Sequence, residues 1–210
     1  LFTGHMKKLL ITGGTGFIGS HTCVDLLNKG YDLVVLDSFI NSSPKISENI
    51  SEIVNLSKLK NNLELIKCDL KNEDQLADIF LKHSKSSMPI EGVIHFAGLK
   101  SVLDSINNPL LYWDSNVGGT INLLKQMDIF KCNTIVFSSS ATIYGNNNSN
   151  YITESSPINP SNPYGENKVA IEKILESIFI SSKNKWRIAN LRYFNPIGAH
   201  PSGLIGENPI

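Results

Sequence analysis

Hydrophobic and polar positions along the chain alternate between two regimes. Short runs rich in β-branched and other apolar residues fall at 8–12, 33–36, 63–67, 92–96, 134–138 and 188–193. Leu33-Val34-Val35-Leu36 has no polar position at all, as expected of a strand covered on both faces in a parallel sheet. Between these runs, apolar residues recur at helical spacing over about 16–29, 44–59, 72–84, 110–130 and 164–181. Six strands with intervening helices predict an α/β fold, a doubly wound parallel sheet. Its crossovers are right-handed and its ligands sit at the carboxyl ends of the strands. The stretch 146–163, rich in Asn, Ser and Pro, is long for a plain connection and predicts a functional loop. Beyond Tyr193 both patterns stop. Residues 201–210 read as a loop that leads nowhere, the start of a substrate-binding portion, and the 210 residues as a truncated protein.

Composition narrows the function classes. Nineteen Lys and Arg balance nineteen Asp and Glu, so there is no electrostatic case for nucleic acid or an anionic membrane. No apolar run approaches the ~20 residues that span a bilayer. Cys23, Cys68 and Cys132 are odd in number and widely spaced, which predicts a reducing, cytoplasmic setting without disulfides. The sequons at Asn41, Asn49, Asn55 and Asn147 are then read as accidental. None of the five His pairs with Cys at zinc-ligand spacing, so no metal is expected. Residues 1–6 read as an expression-tag remnant ahead of the native chain.

The strand at 8–12 runs into Gly13-Gly14-Thr15-Gly16-Phe17-Ile18-Gly19 and then a helix, the strand–turn–helix context of a dinucleotide-binding glycine fingerprint. Gly13 permits the tight turn, Gly16 lets backbone approach a pyrophosphate, and Gly19 lets helix and strand pack closely. The helix then presents its positive end to the diphosphate. Asp37 follows the second strand, where a carboxylate meets the adenosine ribose and repels a 2′-phosphate; this favours NAD over NADP. Asp69, after the third strand, is placed to accept from adenine. Residues 7–200 are thus read as one NAD-binding Rossmann domain.

Tyr164 and Lys168 stand four apart at the start of a helix, on one face. A Tyr acts as a base near pH 7 only if its pKa of about 10 falls. A neighbouring ammonium, with the positive charge of an oxidised nicotinamide, would stabilise the phenolate. Lys168 is also expected to bond the nicotinamide ribose. Ser140, just past the fifth strand, would hydrogen-bond a substrate hydroxyl and Tyr164. Ser140, Tyr164 and Lys168 are therefore the candidate catalytic residues, for oxidation of a hydroxyl by hydride transfer.

On these motifs, with His95-Phe96-Ala97-Gly98-Leu99-Lys100, 137–145, 163–168 and 191–203, the chain resembles the extended short-chain dehydrogenase/reductase family. Within it the match is to members that interconvert UDP-glucose and UDP-galactose. The resemblance implies oxidation at sugar C4, rotation of the 4-keto sugar and reduction from the opposite face, with bound NAD regenerated at each turnover. It places Phe17 and Ile18 along the diphosphate, and Asp37, Ser38, Phe39, Ile40, Asn41 and Ser42 around the adenosine end. Asp69 and Leu70 flank adenine, and Phe96, Ala97, Gly98, Lys100 and Asn116 run by the cofactor, with Phe194 at the nicotinamide. Ser140, Ala141, Thr142, Tyr164 and Asn195 face the substrate. It further implies a homodimer through the helices at 110–130 and 164–181, and a smaller C-terminal substrate domain. Two alternatives stay open. Another epimerase or dehydratase of the family is one, although a 4,6-dehydratase is expected to carry Asp-Glu where Ala141-Thr142 stand. The other is a non-catalytic NAD-binding regulator.

Overall fold

The computed structural model describes residues 7–59, 61–146, 151–183 and 185–207. Residues 1–6, the sequon at Asn147 and the last three positions lie outside these. Six strands form one sheet: β1 (Lys8–Thr12), β2 (Asp32–Asp37), β3 (Leu63–Lys67), β4 (Ile90–His95), β5 (Thr134–Ser140) and β6 (Arg187–Tyr193). Their order is β3-β2-β1-β4-β5-β6, every pair parallel. The chain reverses its direction of growth between β1 and β4, which opens a crevice at their carboxyl ends.

Both faces of the sheet are covered. Leu9, Ile11, Leu33 and Val35 point to one side, where they pack with Cys23, Val24 and Leu27 of α1 (Phe17–Asn28) and Ile50 of α2 (Lys45–Ile53). The alternate residues Leu10, Val34, Leu36, Val93, Ile135 and Phe137 face the other side. There they meet α3 (Glu73–Ser84), and later α6 (Gly119–Ile129) and α7 (Pro163–Ser181). β2 is buried at all six positions, as its unbroken apolar run requires.

Several expected elements are modified. The helix expected over 44–59 stops at Ile53, because Asn55 adopts a left-handed φ of 54°, and only a 3₁₀ turn (Leu56–Lys58) follows. A six-residue α4 (Val102–Asn107), capped by Ser101, was not foreseen. The helix expected over 110–130 begins at Pro109, as α5 (Pro109–Tyr112), and passes through a π-helical segment (Trp113–Gly118) before α6. β5 runs two residues further than expected, so that Ser140 ends the strand and caps a 3₁₀ turn (Ala141–Tyr144).

The tail does not trail off. Ala199 pairs with Gly206 as an antiparallel bridge, and Ile205 is buried beside β1, α1 and α2. A boundary at residue 200 would cut this hairpin.

Candidate active site

The expected site residues gather along one rim, at the carboxyl ends of the strands. The glycine turn leaves β1. Gly13 has a φ of +67°, and a Cβ there would come within 2.6 Å of the Ala97 backbone nitrogen. A Cβ on Gly19 would overlap the Gly13 carbonyl oxygen and lie 2.8 Å from Gly14 Cα, so α1 can seat on the turn only as glycine. Gly14, which the fingerprint reasoning passed over, is also crowded, though by side chains: its Cβ would meet Val35 at 2.7 Å. α1 has Gly16 at its N-cap, with no side-chain cap and no acidic residue in its first turn. Its first amides therefore face the rim without a partner from their own helix, which suits an anion.

Asp37 braces this turn. Its carboxylate accepts from the Thr15 amide at 3.1 Å, the Phe39 amide at 3.0 Å and Ser42 Oγ at 2.8 Å. A carboxylate offers about four acceptor positions, which leaves room for a ribose hydroxyl. Next to it, at the ends of β2 and β3, a cleft of about 360 Å³ is lined by Ser38, Ile40, Lys67, Cys68, Asp69 and Gln75. Lys67, Cys68 and Gln75 were not foreseen there. Asn41 is exposed, and Leu70 is buried under Gly119.

Across the crevice, the turn after β4 is held by Asn116 in the π-helical segment. Its Oδ1 accepts from the Leu99 amide at 2.8 Å, and its Nδ2 donates to the Leu99 carbonyl at 3.0 Å. Gly98 passes over that side chain, a Cβ there lying 3.1 Å from Asn116 Oδ1. Lys100 pairs with Glu207 at 2.8 Å. Phe17, Ile18, Phe96 and Ala97 are half-buried along the rim.

The reacting groups stand at the end of β5. Asn162 caps α7 by accepting from the Gly165 amide at 2.9 Å, and Pro163 takes the first helical position. Tyr164 thus falls in the first turn, its backbone amide donating to Ser105 Oγ of α4 at 3.2 Å. Ser140 Oγ accepts from Thr142 Oγ1 at 2.9 Å and from the Thr142 amide at 3.2 Å, and its hydroxyl is near enough to the Tyr164 phenol to favour the phenolate. Lys168 Nζ donates to the Ser138 carbonyl at 2.7 Å and lies 5.5 Å from the Tyr164 ring centroid.

The protein's own groups do not by themselves lower the phenol. Burial raises the Tyr164 phenol above its ordinary value of about 10, against the lowering hydrogen bond from Ser140, and the Tyr112 phenol raises it further. Burial also pushes Lys168 down to about 8, with Glu172 opposing. Among the protein's own groups, then, the phenol is held protonated.

Behind the pair lies a network that the sequence reading missed. Glu172, one turn beyond Lys168, accepts from Ser139 Oγ at 2.5 Å and takes Arg192 as a fork, Nε at 3.1 Å and the second guanidinium nitrogen at 2.7 Å. Arg192 also donates to Tyr144 Oη at 2.8 Å and the Glu154 carbonyl at 3.0 Å. One guanidinium thus joins β6, α7, the 3₁₀ turn and the loop before α7. Phe194 and Asn195 follow β6, exposed.

Known proteins are similar to this chain in sequence and fold. The UDP-glucose 4-epimerase of Bacillus subtilis (strain 168) is 45% identical over 201 residues, 96% of this chain and 56% of that protein. A UDP-glucose 4-epimerase from Stenotrophomonas maltophila, solved with NAD and formylated UDP-arabinopyranose, superposes with a TM-score of 0.88 at 39% identity. The superposition covers 98% of this chain and 58% of that one. A UDP-glucose 4-epimerase from Bifidobacterium longum, with NAD+ and UDP, gives a TM-score of 0.88 at 41% identity over 97% of this chain and 58% of that one. The chain therefore spans little more than half the length of these relatives. Residues 9–207, nearly everything from the first strand to the end of the hairpin, match a single family. The chain belongs to the NAD dependent epimerase/dehydratase family.

Proposed function

We propose that the protein interconverts UDP-glucose and UDP-galactose by inverting the sugar 4-hydroxyl, with NAD as a bound cofactor. The observation that carries this reading is the convergence of Ser140, Tyr164 and Lys168 at the end of β5, along the rim that bears the glycine turn. The rim fits a dinucleotide on its own chemistry. The uncapped α1 amides suit a diphosphate, Asp37 has acceptor capacity for a ribose, and the cleft beside Asp69 has the volume and mixed lining for an adenine. NAD held by these groups supplies a reversible hydride acceptor and a positive charge.

Tyr164 then serves as the group that takes the proton from the 4-hydroxyl and returns it. Ser140, held by Thr142 beside the Tyr164 phenol, orients the phenol and offers its hydroxyl to the sugar oxygen. Lys168 keeps a cation beneath the ring, held by the Ser138 carbonyl. Ala141 and Thr142 border the sugar, and Phe194 and Asn195 close the far side. The test is turnover of UDP-galactose by the purified protein and by Tyr164→Phe. The variant is expected to bind NAD and to lose about 10²–10⁴-fold in rate; near-normal turnover would refute the role of the phenol.

The protein is further proposed to act as a homodimer in a reducing, cytoplasmic setting. Leu110, 82% exposed, and Leu111, Ile121, Ile129, Phe179 and Ile180 leave apolar surface on the helices around 110–130 and 164–181, and all three cysteines are free and buried.

A further inference from the structure

β6 lies at one edge of the sheet, yet residues 199–207 pack on the far half of the molecule. Ile205 is buried in the apolar cluster of Leu9, Ile11, Cys23 and Ile50. Asn49 of α2 donates its Nδ2 to the Leu204 carbonyl at 2.8 Å. Glu207 reaches Lys100, and the His200 ring lies 6.2 Å from that of His21 on α1.

From β6 to β1 is three strand spacings, roughly 14 Å at about 4.8 Å each, with a further step onto the helix layer. Residues 194–199 can span only about 20 Å when fully extended. The path has little slack and must cross the carboxyl ends of β5, β4 and β1. That rim carries Ser140, the turn after β4 and the glycine turn. All six crossing residues are exposed, so the segment is held at its ends and not along its length.

The far anchor is rigid in itself. The His200 amide donates to the Ile205 carbonyl at 3.0 Å, and the Gly203 amide donates to the His200 carbonyl at 2.9 Å. Gly203 takes a φ of +72°, and a Cβ on Gly206 would sit 3.0 Å from that of Ala199. Ser202 Oγ accepts from the Leu204 amide at 3.2 Å, closing the loop further.

We infer that this hairpin, through Ile205 and Asn49, stretches Phe194 and Asn195 across the cofactor cleft and thereby sets how long a dinucleotide stays bound. The inference rests on reading the cleft as an NAD site. Ile205 and Asn49 are positioning residues, since they act through where the crossing segment lies. A tether fixed at both ends has few conformations; one freed at its far end can swing clear of the rim.

The test is the dissociation rate of NADH from the purified protein, followed by the loss of bound fluorescence in a chase with excess NAD. Thermal unfolding is measured on the same samples. Ile205→Ser is expected to release NADH about tenfold faster, and Asn49→Ala several-fold faster. Ile205→Val should restore the native rate. Leu27→Val, in the last turn of α1 and away from its His21 end, should lower the Tm and leave release unchanged. Asn49 is only half-buried, so its variant stays folded and informative even if Ile205→Ser does not. Native-rate release from folded Asn49→Ala, or equal acceleration in Leu27→Val, would overturn the inference. If the unaltered protein bound no NADH at all, the cofactor reading would fall first and take the inference with it.

Discussion

His95 is buried at the switch point, with Nδ1 2.6 Å from Thr12 Oγ1 and Nε2 2.8 Å from Thr120 Oγ1. Thr120 spends its hydrogen on the Asn116 carbonyl at 2.5 Å, so it can only accept from the imidazole. Thr12 can then donate to Nδ1 while accepting from the Ala97 amide at 3.3 Å. These directions suit a neutral ring protonated on Nε2. Burial, with Lys168 nearby, pulls His95 down to about 3. The folded value is thus below the unfolded 6.5, and the unfolded chain binds the extra proton. The stability contributed is present above pH 6.5 and is lost as pH falls from 6.5 toward 3, by at most about 1.4 kcal/mol per unit. His83, lowered by burial as well, adds to the same slope. Urea unfolding at pH 7.5, 6, 5 and 4 should give a shallower dependence for His95→Asn than for the native protein, and equal slopes would exclude the assignment.

At the scale of elements, the glycine turn and α1 behave as one piece. Gly19→Ala would force the helix off the turn, at about 1–3 kcal/mol for overpacking, and should weaken NAD binding with it. Gly30→Ala is the contrast. A Cβ there meets nothing within 4 Å, although φ is +85°, so it should cost only about 1–2 kcal/mol and leave binding intact. Calorimetry and NAD titration on both variants check the pair. Elements of this kind were legible because their signal is local: apolar period and Gly spacing. What was not legible depends on distance. Glu172 and Arg192 are twenty residues apart on different elements, and their pairing exists only once α7 has docked on the sheet. α4 is too short to establish a period, and the π-helical turn around Asn116 has no residue signature. Leu204-Ile205 is a two-residue apolar pair between turn-forming residues, too short to show a period, so nothing in the pattern marked Ile205 as core. The burial that raises the Tyr164 phenol likewise cannot be read from the spacing of Tyr164 and Lys168.

For the whole molecule, one rim of the sheet carries the proposed chemistry, and helical faces on its flank carry exposed apolar residues. Burying Leu110 and its neighbours is the simplest account of that surface. Leu110→Glu should therefore convert a sedimenting dimer to monomer without loss of secondary structure, whereas an unchanged sedimentation coefficient would place the contact elsewhere. The hairpin that joins the two halves has a temporal side as well. Leu9 and Ile11 leave the ribosome among the first residues of this fold, and Ile205, which completes their cluster, emerges nearly two hundred residues later. At about 5–20 residues per second, the apolar layer under α1 and α2 waits on the order of 10–40 s for its final side chain. During synthesis this first-made half of the protein stays open on one side, exposed to chaperones, until the chain has come back across the sheet to close it.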